Sequence, residues 1–133
     1  MAERMDALQS GGFPYLVAEV GGLVSGYAYA GPYRLRPAYR FTVEDSVYLA
    51  DHARRQGVGR ALLARLLTEC EQRGFRQMVA IIGDSTNLAS IELHRAAGFR
   101  LVGAFYDVGF KFGRWLDSVM MQRALGPGAS EPP

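Results

Sequence analysis

Ser46-Val47-Tyr48-Leu49-Ala50-Asp51-His52-Ala53-Arg54-Arg55-Gln56-Gly57-Val58-Gly59-Arg60-Ala61-Leu62-Leu63 decides the fold, because a β-rich run passes through a basic, glycine-punctuated turn into a helix. Leu62, Leu63, Leu66, Leu67 and Cys70 fall on one helical face, which predicts a helix from Gly57 to Arg73 with Gly74 as its stop. The first-turn amides of such a helix have no intrahelical partner, and the helix dipole gives them partial positive charge. Gly57 and Gly59 bear no side chain to keep an anion away from the backbone, and Arg54, Arg55 and Arg60 add full charges around the same point. The junction suits a phosphorylated ligand. It is not a nucleoside-triphosphate loop, which needs a lysine absent here, nor a dinucleotide fingerprint, since Leu62 stands where the third glycine belongs.

Outward from this junction, Met1 to Gln9 predicts a short helix. Tyr15–Val20 and Leu23–Tyr29 flank Gly21-Gly22, a strong hairpin signal. A loop rich in Arg, Pro and Tyr spans 31–39, and Phe41–Ala50 is β-rich with Val43, Val47 and Leu49 on one face. Met78–Ile82 is a continuous apolar run that predicts a central strand buried on both faces. Leu88–Ala97 predicts a second helix, and Phe99–Tyr106 and Trp115–Leu125 two further strands with a glycine-rich connection between them. The order describes one α/β domain over residues 1–125, a sheet mixing hairpins with crossover helices. Residues 126–133 are expected to form a disordered tail.

Composition narrows the function classes. The 133 residues are 49% hydrophobic and 21% charged, with a formal charge of +2, which argues against nucleic-acid binding. The apolar runs are too short for a membrane span, and the acid-containing N-terminus is no secretory signal. A single cysteine, Cys70, fits a reducing cytoplasm, and no metal site is expected with only His52 and His94 available. Cys70 lies on the apolar stripe of its helix and is expected to be a core residue rather than a nucleophile.

Arg54-x-x-Gly57-x-Gly59 resembles the signature of the GNAT acetyltransferases: Arg or Gln, two residues, Gly, one residue, then Gly or Ala. Four further stretches are similar to the phosphinothricin and methionine sulfoximine acetyltransferase branch of that superfamily. They are Arg36-x-Ala38-Tyr39-x-x-Thr42-Val43-Glu44-x-Ser46-Val47-Tyr48, Ile82-Gly83-Asp84-Ser85-x-Asn87-x-x-Ser90, Leu93-His94-x-x-x-Gly98-Phe99, and Gly109-Phe110-Lys111-Phe112-Gly113-x-Trp115-Leu116-Asp117. The likeness runs from about Tyr15 to Leu125. It implies a mixed, mostly antiparallel twisted sheet of about six strands with flanking helices, with the branch's first strand and helix lying outside this N-terminally shortened chain.

The resemblance also implies roles. Acetyl-CoA would be held at its diphosphate by Arg54, Arg55, Gln56, Gly57, Val58, Gly59 and Arg60. Its pantetheine arm would lie along Val47, Tyr48 and Leu49, with contacts from Asn87 and Ser90. Glu44 would be the general base, and its alternative is an exposed strand glutamate beside an equally superficial Asp45. A backbone N–H of Leu49 or Ala50 would polarise the thioester carbonyl. His94 would protonate the departing thiolate, or else be a packed structural residue. Asn87 can also cap its helix. Tyr29, Arg36, Tyr39, Lys111 and Trp115 would bind a small amine acceptor, with Arg36 matching an α-carboxylate. The alternatives are a solvated basic loop for the arginines and core packing for Tyr29. A homodimer is implied, acting on a phosphinothricin- or methionine sulfoximine-type substrate by direct transfer. The alternative is a CoA-binding or self-associating module with little or no activity.

Overall fold

A computed structural model describes residues 2–54 and 57–133; Arg55 and Gln56, expected at the diphosphate, lie outside the described residues. Helix α1 (Ala2–Ser10) precedes the hairpin of β1 (Tyr15–Val20) and β2 (Leu23–Pro32). A 3-10 turn at Pro37–Tyr39 leads into β3 (Thr42–Leu49), and a second at Asp51–Ala53 leads into α2 (Val58–Gln72). Then follow β4 (Gln77–Ile82), α3 (Leu88–Ala96), β5 (Arg100–Lys111) and β6 (Arg114–Ala124). The strands form one six-stranded sheet in the order β1-β2-β3-β4-β6-β5. Among the described residues only β3 and β4 are parallel, joined by the crossover through α2; the other pairs are antiparallel. The α/β class and the element order agree with the sequence.

The leucine stripe of α2 is buried as its spacing requires: Leu62, Leu63, Leu66, Leu67 and Cys70 pack on Ala28, Ala30 and Val43 of β2 and β3 and on Met78 and Ala80 of β4. Burial pushes the Cys70 thiol up to about 12, so it is an inert core group. In the β1–β2 turn both Gly21 and Gly22 have positive φ, the conformation a tight two-residue hairpin demands.

Three expectations are corrected. Strand β4 is buried on one face only: Met78, Ala80 and Ile82 face the helices, whereas Ile81 on the opposite face is half-exposed. An unbroken apolar run does not distinguish a doubly covered strand from one beside an open cleft. Next, the glycine-rich connection is mostly strand. β5 continues to Lys111 and the turn is only Phe112-Gly113, the surplus residues being absorbed by an irregularity between Phe105 and Gly109. Lastly, 126–133 forms no helix or strand yet lies against the body. Arg76 donates from Nη1 to the carbonyls of Gly128 (2.9 Å) and Glu131 (3.0 Å) and from Nη2 to that of Pro132 (3.1 Å). One guanidinium, with its fork of donors, supplies the fixed partner that composition could not reveal.

Candidate active site

β3 and β4 pair only at Thr42–Gln77, Val43–Met78 and Glu44–Val79. Beyond Glu44 the two strands part: β3 stays with β2 as far as Gly26–Leu49, and β4 stays with β6 as far as Ile82–Val119. A cleft therefore opens in the middle of the sheet, with Glu44 at its fork.

The register of β2 and β3 decides what lines that cleft. Ala50 N donates to Ser25 O at one end and Tyr33 N to Thr42 O at the other, so the pairs Gly26–Leu49 and Pro32–Val43 are of the non-hydrogen-bonded kind. Asp45, Val47 and Leu49 share that parity. Their N–H and C=O groups turn away from β2 toward the side where β4 has departed. This gives an extended ligand backbone to pair with at Val47 and Leu49, but the backbone of Tyr48 belongs to the β2 ladder. Ala50 likewise is committed to Ser25, which leaves Leu49 as the donor facing the cleft.

Side chains alternate oppositely. Glu44, Ser46 and Tyr48 share the face that carries a stack of tyrosines, in which Tyr27 and Tyr48 centroids lie 4.8 Å apart and Tyr15 and Tyr29 5.3 Å apart. Tyr29 thus belongs to a packed cluster two residues from Gly31, the partner of Glu44. Burial raises the Glu44 carboxyl above its usual range, and neighbouring Asp45 adds to this while Arg34 opposes it. A half-buried carboxylate tuned upward at the fork of a cleft is suited to accept a proton.

Asp45 is not superficial. It points to the core face and accepts His94 Nε2–H at 2.7 Å, with both side chains almost fully buried. His94 Nδ1 donates to Ser90 O at 2.8 Å, and Phe99 stacks edge-on against the ring. Burial, the largest influence, pulls the imidazole down, but the hydrogen bond and charge of Asp45 with the Ser90 carbonyl outweigh it and leave it raised. Both ring nitrogens are engaged, so the geometry is that of a strut between α3 and β3. Asn87 caps α3, its Oδ1 accepting Ser90 N–H at 3.2 Å.

At the start of α2, Gly57 adopts φ +78 and faces open space, leaving room for an anion at the helix end. Gly59 serves differently: a Cβ there would meet Leu49 Cδ1 at 3.1 Å and Leu93 Cδ1 at 3.5 Å, so its bareness seats α2 on β3 and α3. The Val58 side chain is buried. Arg54 is exposed beside Asp51 at 3.5 Å, and Arg60 opens a groove of about 480 Å³ between α2 and α3 that ends at Arg123.

The residues expected to bind the acceptor are not all brought together. Arg36 and Tyr39 line a small depression of about 190 Å³ with Phe13 and Thr42, on the loop before β3. Lys111 and Trp115 lie at the tip of the β5–β6 hairpin, where Lys111 Nζ sits 5.0 Å over Phe112 and Trp115 meets Phe110 edge-on. Two strands, β3 and β4, separate β6 from β2 in the sheet. Among the described residues no cluster of three or more His, Cys, Asp or Glu could hold a metal, and no helix is long and apolar enough to cross a membrane.

The family model for the acetyltransferase (GNAT) domain matches residues 1–120. The chain belongs to the GNAT acetyltransferase family. Within it, this GNAT chain is 55% identical over 128 residues to a phosphinothricin N-acetyltransferase of Alcaligenes faecalis, covering 96% of this chain and 65% of that protein. It is 45% identical over 125 residues to an L-methionine sulfoximine/L-methionine sulfone acetyltransferase of Salmonella typhimurium, covering 94% and 72%. Its structure superposes with TM-score 0.96 on the crystal structure of a GNAT superfamily phosphinothricin acetyltransferase of Sinorhizobium meliloti in complex with AcCoA, at 51% identity over 100% of this chain and 72% of that one. The GNAT domain described here thus spans a little under two thirds of the Alcaligenes relative.

Sequence reasoning missed the Asp45–His94 pair, though a signal was present. Asp45 alternates with Val43, Val47 and Leu49, and an acid on an apolar face needs a buried partner. It also missed Ser25, fully buried, whose hydroxyl donates to Leu23 O and lies 3.3 Å from His52 Nε2. No local signal links those two residues, because the pairing spans the rest of β2 and all of β3.

Proposed function

We propose that this chain transfers an acetyl group from acetyl-CoA to the amine of a small amino-acid-like acceptor, directly and without a covalent enzyme intermediate. The observation that carries the reading is Glu44, held at the fork of the β3–β4 cleft with its carboxyl raised by burial. The names of the relatives, phosphinothricin and methionine sulfoximine or sulfone acetyltransferases, supply the acceptor class. Bound acetyl-CoA would supply a thioester-activated acyl group. The residues present fit it: bare amides and an open Gly57 for the diphosphate, and strand-like donors and acceptors at Val47 and Leu49 for the pantetheine arm.

Glu44 takes a proton from the acceptor ammonium at its carboxylate oxygen, freeing the nitrogen lone pair. Leu49 N–H, facing the cleft, polarises the carbonyl under attack. His94 acts from α3 by fixing Asp45 and the cleft wall, and the departing thiolate is protonated from solvent. Arg36 meets the acceptor carboxylate. The β5–β6 hairpin exposes Phe105, Tyr106, Phe110, Phe112 and Trp115, apolar side chains suited to contact with a second copy. In such a homodimer Lys111 and Trp115 would reach the partner's acceptor pocket. A reducing cytoplasm is the compartment that fits the lone Cys70.

Mass-spectrometric turnover with acetyl-CoA and a panel of phosphinothricin, methionine sulfoximine and methionine sulfone tests the reading. Acetylation of at least one is expected, with kcat lowered about a hundredfold or more in Glu44→Gln. Thermal stabilisation by acetyl-CoA without turnover on any of the panel would overturn the assignment in favour of a CoA-binding module.

A further inference from the structure

We propose that Asp117 is a positioning residue that ties the β5–β6 hairpin to the turn carrying Asn87 and so sets the shape of the acetyl-CoA cleft; this rests on the cofactor reading above. Asp117 joins three segments with one carboxylate. Its Oδ2 accepts the Ser85 hydroxyl at 2.8 Å, from the turn between β4 and α3. Its Oδ1 accepts the backbone N–H of Asp107 at 3.0 Å, from the irregularity in β5.

That irregularity leaves residues 106–108 of β5 opposite Asp117 alone, between the pairs Phe105–Ser118 and Gly109–Leu116. Asp107 has φ +57, a left-handed conformation uncommon outside glycine, which aspartate tolerates better than most residues. The Asp117 carboxylate takes the Asp107 N–H there, standing in for a ladder acceptor. Bulges of this kind re-aim strands beside functional sites.

The link continues toward the cleft. Arg114 Nη2 binds Asp84 Oδ2 at 2.5 Å, a second tie from β6 to the same turn. Asp84 Oδ1 accepts Thr86 N–H at 2.9 Å and its hydroxyl at 2.7 Å, and Asp84 O accepts Asn87 N–H at 3.0 Å. Asn87 then caps α3, the helix whose His94 braces β3. A turn clamped at both Asp84 and Ser85 has little freedom, so the place of Asn87 is set by β6 rather than by its own short loop.

The test compares acetyl-CoA dissociation constants by calorimetry, with melting temperatures, for wild type, Asp117→Ala, Asp117→Asn, Ser85→Ala and the Ser85→Ala/Asp117→Ala double variant. Asn can keep both bonds, its carbonyl accepting Asp107 N–H and its amide donating to the Ser85 hydroxyl, so it should bind within about twofold of wild type. Asp117→Ala and Ser85→Ala should each weaken binding about fivefold, the scale of substitutions within a coupled network. The double variant should be no weaker than Asp117→Ala. A fall in melting temperature with unchanged acetyl-CoA affinity, or two single effects that multiply, would overturn the proposal. If Asp117→Ala does not fold, Ser85→Ala decides alone, since it leaves the Asp107 bond intact. Absence of acetyl-CoA binding by wild type overturns the cofactor reading itself; normal wild-type binding that Ser85→Ala leaves untouched overturns only the role of Asp117.

Discussion

At the scale of single residues, the Asp45–His94 pair sets how the protein responds to pH. Ser90 O can only accept, so Nδ1 of His94 carries a proton, and the Asp45 carboxylate at 2.7 Å holds a second on Nε2. The folded chain therefore binds the imidazolium more tightly than the unfolded chain does. A histidine raised on folding contributes stability that is complete below its unfolded value, 6.5, and is lost as pH climbs through the higher folded value. Urea unfolding of wild type from about pH 5 to 9 should show stability declining above neutrality, and Asp45→Asn should flatten that part of the profile because its amide offers no charge. Asp45→Ala should cost about 1–3 kcal/mol at neutral pH, by leaving the buried His94 Nε2 without its hydrogen-bond partner. A wild-type profile that rises with pH across this window would refute the assignment. The motif singled out Glu44, whereas Asp45 was read as surface because two adjacent acids look alike in sequence. The strand's alternation, not its composition, separates them, and the partner lies 49 residues away.

At the scale of elements, the α2 leucine stripe and the Gly-Gly hairpin were legible because each is a local pattern with one geometric solution. The long β5 was not, because its glycines read as a loop while pairing with β6 and the Asp117 carboxylate hold it as a strand. The cleft was legible only as chemistry at the helix start; the parting of β3 and β4 after Glu44 is a property of two strands together. Gly59 shows the difference in kind. Its spacing suggested room for phosphate, but its Cβ direction points at Leu49 and Leu93. Gly59→Ala should shift the first turn of α2 off the end of β3, destabilising the fold by about 1–2 kcal/mol through overpacking. Acetyl-CoA affinity should fall with it, because the amides of that turn move with the helix. Chemical denaturation and calorimetry on the same preparation check both, and full affinity alongside the loss of stability would show that the turn is independent of the Leu49 contact.

At the scale of the whole molecule, the sheet is asymmetric in what it hides. α2 covers β1, β2 and β3, whereas the β5–β6 hairpin carries Phe105, Tyr106, Phe110, Phe112 and Trp115 in the open, with Phe112 86% and Trp115 62% exposed. Exposed aromatic side chains of this number on one hairpin suit the association proposed above. The residues proposed for the acceptor divide the same way, Arg36 and Tyr39 beside β3 and Lys111 and Trp115 at the hairpin tip. A two-fold pairing of hairpins would let each tip complete the other copy's pocket, since an isologous contact exchanges the same residues in both directions. Sedimentation should therefore give twice the 14.6 kDa chain mass for wild type. Replacing Phe105 and Trp115 by Arg should give a folded species at the single-chain mass, because each buried guanidinium would face apolar surface without an anion. The acceptor KM of that variant should rise about tenfold with the loss of the partner's contribution. A wild type that sediments as a single chain at micromolar concentration, or a monomeric variant with an unchanged acceptor KM, would separate the apolar hairpin from catalysis.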